Sequence, residues 1–211
     1  IARRVASDMS IAAGCNNNCT NVTGASGSIA AAQVQGSNDG ETAWGGMISA
    51  INTYQAMGYN DESWKDWYCF ISAQTEYILC VSSSSDFQTY QDFADYAAAN
   101  PGSLSSGSPG LGSVGHLAAV TMCEAFGIET NHVPYSGGRA AAIGVMGGEI
   151  DYVFIAYGDV YDLVASGDLR PLAVTGEDMN ITLADGSEIT VPGLDAQYPE
   201  IGETCSQLGF W

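Results

Sequence analysis

Positive charge is scarce in this 211-residue chain: five Lys and Arg residues stand against 24 Asp and Glu, for a net charge of −19. A surface this acidic repels nucleic-acid phosphates, which excludes a nucleic-acid-binding role. It also gives an anionic ligand no long-range attraction, so a bound carboxylate has to rely on local backbone dipoles or on one of the few arginines. Lys65 is the only lysine; it lies in an acidic, aromatic segment that resembles no active site. Long apolar runs are missing too, and no window reaches the length needed to span a bilayer. No signal peptide is visible, and Ile1-Ala2-Arg3-Arg4 reads as the inside of a helix, so upstream sequence is expected. The two histidines are isolated in sequence. Six cysteines (Cys15, Cys19, Cys69, Cys80, Cys123, Cys205) match none of the paired zinc spacings, so no metal site is expected. An exported protein can use some of them as disulfides, with the pairing open. Cys123, on its helix, reads equally well as a reduced core residue.

What is present is a folded composition, 46% hydrophobic, in a chain long enough for one domain or two small lobes. Asn131–Gly176 packs strand, helix, strand, helix and strand into under fifty residues. Ile150–Ala156 and Leu172–Val174 are apolar runs of strand formers. Between them Asp159 is expected to cap a helix that Gly167 ends. Strands alternating with helices predict a parallel sheet with helices on both faces, whose ligands sit beyond the carboxyl ends of the strands.

Upstream, Ile1–Ala13 reads as an amphipathic helix stopped by Gly14, and Cys15–Asn21 as an extended segment. Gly24–Gly27 is a tight turn leading into a helix over Ser28–Gln35. Ala43–Ala50 reads as strand or buried turn, and Asp66–Val81 as two extended runs meeting near Ser72–Gln74. Ser84 or Ser85 is expected to cap a helix Phe87–Ala99 that Asn100-Pro101-Gly102 ends. Leu104–Ser108 is a short strand. After the glycine turn Pro109–Gly112, Ser113 caps a helix Val114–Phe126 that Gly127 ends. Glu177–Gly193 is a polar excursion with Asp185-Gly186 as a hairpin turn. Trp211 arrives just after a further expected helix. No repeat of solenoid period is present.

The sharpest local motif is SGSPGLGSVGH, Ser106–His116. Glycines at 107, 110 and 112 let the backbone approach a ligand, and Ser113 starts a helix whose unpaired N–H groups favour an anion. Phosphate and carboxylate both satisfy that geometry, but the Lys-Ser/Thr ending of a nucleotide P-loop is absent. A flexible strand–helix turn is the plainer alternative. His116 lies one helical turn after Ser113 with no acid or nucleophile patterned around it, so no triad can be assembled. Arg139 could pair with a distal carboxylate or stay solvated. Tyr135 could pack between lobes or bind.

The segments HVPYSGG, GGEIDYVF and SGDLRPLAVTG, with SPG-x-GS-x-GH at Ser108–His116, resemble the solute receptors of tripartite tricarboxylate transporters, also called Bug receptors. Asn21–Gly27, NVTGASG, is similar to that family's N-R-P-G-A-G-G turn, with Val22 and Thr23 in place of Arg-Pro and Ser26 in place of a glycine. The resemblance implies an α/β, two-lobed periplasmic-binding-protein fold of type II. Relative to the family, the first lobe (1–83 and 172–211) is incomplete at both ends, and 84–171 forms the second. The chain would cross between lobes near Val81–Ser85 and Leu172–Gly176. The implied function is capture of a small organic carboxylate outside the inner membrane, and its delivery to ion-gradient-driven permease subunits. A lipid anchor through a missing N-terminus fits that setting, and no cofactor is implied. Ligand contacts are expected from Thr23, Gly24, Ala25 and Ser26 of the turn and from Ser108, Gly110, Gly112, Ser113 and His116 of the loop. Ala156 at the strand end and Tyr157 just beyond it complete the expected set, with Tyr157 reshaping the pocket. The rivals are an enzyme on the same scaffold and a receptor that signals ligand to a membrane sensor.

Overall fold

The computed structural model describes residues 2–61, 63–70 and 75–197. The chain divides between residues 74 and 75 into two compact units.

In the first unit, α1 (Ala2–Ala13) buries none of its residues and stops at Gly14, whose φ of +65° is the left-handed stop expected of glycine. Residues 15–23 are exposed and form no strand, because their asparagine-rich sequence has no apolar face to bury. Gly24 (φ 120°, ψ 150°) then opens a 3₁₀ turn, Ala25–Gly27, in which Ala25 and Ser26 both hold positive φ. α2 (Ser28–Ser37) follows directly. Helix α3 (Ile48–Tyr54) buries Ile51 and Tyr54, and the Tyr54 hydroxyl donates to the Ser26 carbonyl at 3.2 Å, tying helix to turn. The strand or buried turn expected over Ala43–Ala50 is instead a largely exposed loop running into α3. Gly45 and Gly46 offer nothing to bury there, and the Trp44 ring occupies the space a Gly46 side chain would need. Of the two extended runs expected over Asp66–Val81, only Tyr77–Ser82 is a strand. Asp66 ends a 3₁₀ turn, Tyr68 and Phe70 are almost fully exposed, and 71–74 lie outside the described residues.

The second unit is built on a five-stranded sheet, with strands in the order Thr130–Pro134, Leu104–Ser108, Tyr152–Ala156, Tyr77–Ser82 and Leu169–Val174. β1 (Tyr77–Ser82) is a near-continuous buried run, as a strand covered on both faces must be. Helix α4 (Tyr90–Ala99) starts three residues later than the sequence suggests. Thr89 Oγ accepts from the Asp92 amide (3.2 Å) while the Asp92 carboxylate accepts from the Thr89 amide (2.9 Å). This reciprocal capping box fixes the start, and the serine run at 82–85 stays outside the helix. β2 (Leu104–Ser108) and α5 (Val114–Phe126) have the expected bounds, with Ser113 capping one end and Gly127 (φ +62°) the other. β3 (Thr130–Pro134), α6 (Gly138–Met146), β4 (Tyr152–Ala156), α7 (Tyr161–Ala165) and β5 (Leu169–Val174) complete the layers. A hairpin of β6 (Met179–Thr182) and β7 (Glu188–Val191) turns at Asp185-Gly186, and α8 (Leu194–Gln197) follows.

The sheet is not wholly parallel. β2 runs parallel to β3 and β4, but β1 inserts between β4 and β5 and pairs antiparallel with both. The carboxyl ends of β2, β3, β4 and β5 therefore share one edge of the sheet with the start of β1. One face packs Cys80, Val153 and Ile155 against Ala141, Ala142 and Val145 of α6. On the other, Tyr152 meets Phe93 of α4 edge-on at 4.9 Å.

Asp159 does not cap α7. β4 runs into a 3₁₀ turn, Tyr157–Asp159, and α7 starts after Val160 with no side-chain cap. The Asp159 carboxylate instead fills the space beside Gly138 at the start of α6. The lobe boundaries read from sequence, 83/84 and 171/172, fall beside β1 and within β5, two strands of this one sheet. The compact units part earlier, between 74 and 75.

Candidate functional site

The shared sheet edge holds the loop 109–113. Ser108, the last residue of β2, is fully buried. Its hydroxyl lies 2.7 Å from His132 Nε2, 3.0 Å from the Gly110 carbonyl and 3.4 Å from Ser113 Oγ, and it accepts from the Gly110 amide at 3.3 Å. Gly110 (φ 131°) and Gly112 (φ 72°) hold backbone conformations that a side chain would strain. The Gly112 N–H donates to His116 Nδ1 at 3.2 Å, and Ser113 Oγ accepts from the His116 amide at 3.2 Å. Gly115 lets the first turn of α5 approach the Phe154 carbonyl of β4, since a Cβ there would lie 3.3 Å from that oxygen.

The loop amides of Gly110, Gly112 and Ser113 are thus engaged inside the loop. The amides of Val114 and Gly115, the first two of α5, have no partner among the described residues. They lie at the positive end of a thirteen-residue helix, which is where a helix offers hydrogen bonds to an anion. His116, expected as a ligand contact, uses Nδ1 to hold the loop; that leaves its single proton on Nε2. Burial lowers the affinity of His116 for a second proton. Burial and then the charge of His116 lower His132 further, to about 4. Both rings are therefore neutral at pH 7, with their centroids 4.1 Å apart. They border a cleft of about 540 Å³ between α5 and β3, with Val120, Cys123, Glu124 and Thr130 among its lining.

Beside this loop, Ala156 ends β4, and the Tyr157 amide donates to the Glu76 carbonyl at 2.9 Å. The Tyr157 ring packs against the core on the α6 side, and its hydroxyl is raised by burial and then by Cys80. Tyr135 also packs within the unit: its ring covers Gly144 and its hydroxyl donates to Glu149 at 3.1 Å. Cationic help is scarce. Arg139 is committed to Asp162 through two hydrogen bonds of 2.7 and 2.8 Å, and Arg170 donates to the carbonyls of Ser83, Ser85 and Phe87. Partial desolvation raises the Asp159 carboxyl above its ordinary range.

In the first unit, Thr23 and Gly24 are exposed, and Ala25 and Ser26 are half-buried. The turn they form rests on Tyr54 and on the Trp44 ring, which packs against Gly27 and stands 5.7 Å from Trp67. Cys15, Cys19, Cys69, Cys80 and Cys123 are unpaired thiols. Cys205 lies outside the described residues. Among the described residues no group of three or more His, Cys, Asp or Glu side chains is arranged to hold a metal ion.

Sequence reasoning missed His132, while the Val114 and Gly115 amides are the helix-start N–H groups it expected to favour an anion. The signal for His132 lay in HVPY, whose histidine falls two residues before the end of β3.

The mixed α/β fold that carries this loop is shared with solved periplasmic binding proteins. A solved periplasmic transporter superposes over 95% of this chain and 67% of its own, with a TM-score of 0.79 and 26% identity. An R. palustris protein solved with adipate superposes over 98% of this chain and 75% of its own, with a TM-score of 0.74 and 26% identity. The sequence profile of the tripartite tricarboxylate transporter family receptors matches residues 1–195, and the chain belongs to that family. A Cupriavidus necator relative, the UPF0065 protein in the gbd 5' region, is 33% identical over 100 residues. That match covers 47% of this chain and 30% of the relative's own length.

Proposed function

We propose that this chain captures a small organic carboxylate outside the inner membrane and delivers it to the permease subunits of a tripartite transporter driven by an ion gradient. The observation that carries this reading is the Ser108–Ser113 loop: its glycine backbone presents the unpartnered Val114 and Gly115 amides in a chain of this receptor family. With no free arginine at the loop, the carboxylate would be held by amides and hydroxyls. Ser108, Gly110 and Gly112 would shape the site, and Ser113, His116, Ala156 and Tyr157 would border it. The turn Thr23–Ser26 is a second candidate element on its own unit. The partition into lobes, 1–83 with 172–211 and 84–171, belongs to the same proposal. Binding without turnover is part of it as well, since Ser108, though 2.7 Å from His132 Nε2, is fully buried.

The R. palustris protein solved with adipate supports a dicarboxylate as the first probe. Thermal shift should be measured against dicarboxylates, tricarboxylates, aromatic acids and amino acids, followed by calorimetry. At a ligand concentration of about 100 Kd the expected stabilisation is about 2.7 kcal/mol. Failure of every carboxylate to shift the melt, or recovery of a converted product by mass spectrometry, would overturn the reading.

A further inference from the structure

We infer that His132 is a positioning residue of the glycine loop: with His116 it pins the loop at both ends, Ser108 and Gly112, and so fixes the direction of the α5 amides. The inference rests on the carboxylate reading above.

The geometry closes a ring through three elements. β2 supplies Ser108, whose hydroxyl donates to the Gly110 carbonyl, accepts from the Gly110 amide and Ser113 Oγ, and makes its shortest contact, 2.7 Å, with the ring nitrogen of His132. β3 supplies His132; the parallel register sets it opposite Ser106, which puts its side chain on the same face as Ser108 two residues on. α5 supplies His116, whose ring meets that of His132 at a 39° tilt and takes the Gly112 N–H on Nδ1. Ser113 joins Ser108 to the His116 amide. The Ser108 and Ser113 hydroxyls and the Gly110, Gly112 and Ser113 amides are therefore already engaged.

The pinning needs neutral rings. A proton on His116 Nδ1 would set two donors, imidazolium and Gly112 N–H, against each other. A charge on His132 would face the His116 ring at 4.1 Å. The other titratable groups facing the pair are Cys123 and Glu124 on α5, Glu129 just before β3, and Tyr152 on β4. Glu124 and Glu129 are exposed, so solvent screens them.

The test uses the full 211-residue chain as wild type, His132→Ala and His132→Gln, with amide-exchange protection read by NMR at Gly110 and Gly112 and adipate as the calorimetric probe. His132→Ala should lower protection at both amides by about tenfold, the order of one lost hydrogen bond. His132→Gln, whose amide reaches the Nε2 position, should restore it. Wild-type protection at these amides should also fall between pH 7 and pH 4; in His132→Gln the fall should persist at Gly112, whose partner His116 still titrates, and flatten at Gly110. Unchanged loop protection in His132→Ala refutes the inference. So does an equal drop spread over the β1 and β5 amides, which would make His132 a packing residue only. If the loop loosens and adipate affinity falls with it, both readings stand. If the loop loosens in His132→Ala while the variant binds adipate as well as the wild type does, the positioning role stands and the carboxylate site lies elsewhere.

Discussion

Replacing Gly112 with valine tests the loop most directly. Gly112 holds φ at +72°, where a β-branched side chain meets its own backbone, at a cost of about 1–2 kcal/mol. Relieving that strain by rotating the peptide takes the Gly112 N–H off His116 Nδ1, which costs about 1 kcal/mol in its place. Either way the cost, about 1–2 kcal/mol, is below the stability of an ordinary domain, so the protein should still fold. If the loop must hold its shape to bind, affinity should fall about five- to thirtyfold for that free energy. Gly127→Val is the matched control. Its φ is +62°, so the backbone strain is similar, but it sits at the far end of α5 with open space around it. Calorimetry on both variants with the tightest carboxylate found should show loss for Gly112→Val and near-native affinity for Gly127→Val. Equal losses in both, or unchanged affinity in Gly112→Val, would show that the loop does not hold the ligand.

Asp159→Asn should tighten carboxylate binding by removing an anion from the site edge. Because the folded carboxyl titrates above its unfolded value, the native state holds its proton more tightly; its cost is absent at pH 3 and appears as pH rises through the folded pKa. The variant should therefore gain stability at pH 7 and not at pH 3, by less than about 1 kcal/mol for so exposed a side chain; urea melts at both pH values check this. Arg170→Met should destabilise by about 2–3 kcal/mol in the same assay, since three carbonyls lose a charged donor. Thr89→Ala should cost about 1 kcal/mol by opening the capping box, with no change in ligand affinity.

The parts of the fold legible in sequence are those whose ends carry their own chemistry. α5 is bounded by a serine that caps and a glycine that reverses, so both limits can be read directly. The start of α4 is not, because four consecutive serines offer caps as plausible as Thr89, and the reciprocal bond from Asp92 decides among them. The direction of β1 is invisible for a different reason: a strand buried on both faces has the same apolar pattern whether its neighbours run with it or against it. Asp159 looks like a helix cap until the 3₁₀ turn after β4 moves the helix start past it. At the site, the glycines and Ser113 are legible from spacing, and so is the loop. Its pinning is not, since His132 meets Ser108 across 24 residues of intervening chain, and only the folded sheet brings them together.

The place of β1 in the sheet also sets an order of events. Its hydrogen-bonding neighbours are β4 and β5, so Ile78 pairs with Ile155 on one side and Val174 on the other. A ribosome makes β1 first and its last partner nearly a hundred residues later. Until β4 is made the segment Tyr77–Val81, apolar on both faces, has no sheet to enter, and until β5 is made one side of it stays open. Pairings this distant in sequence form slowly, and an unpaired strand of that composition is a template for association with other chains. A polypeptide cut before Leu169 would leave that side of β1 permanently open. Its defect should appear first as aggregation during synthesis, before any loss of ligand binding could be measured.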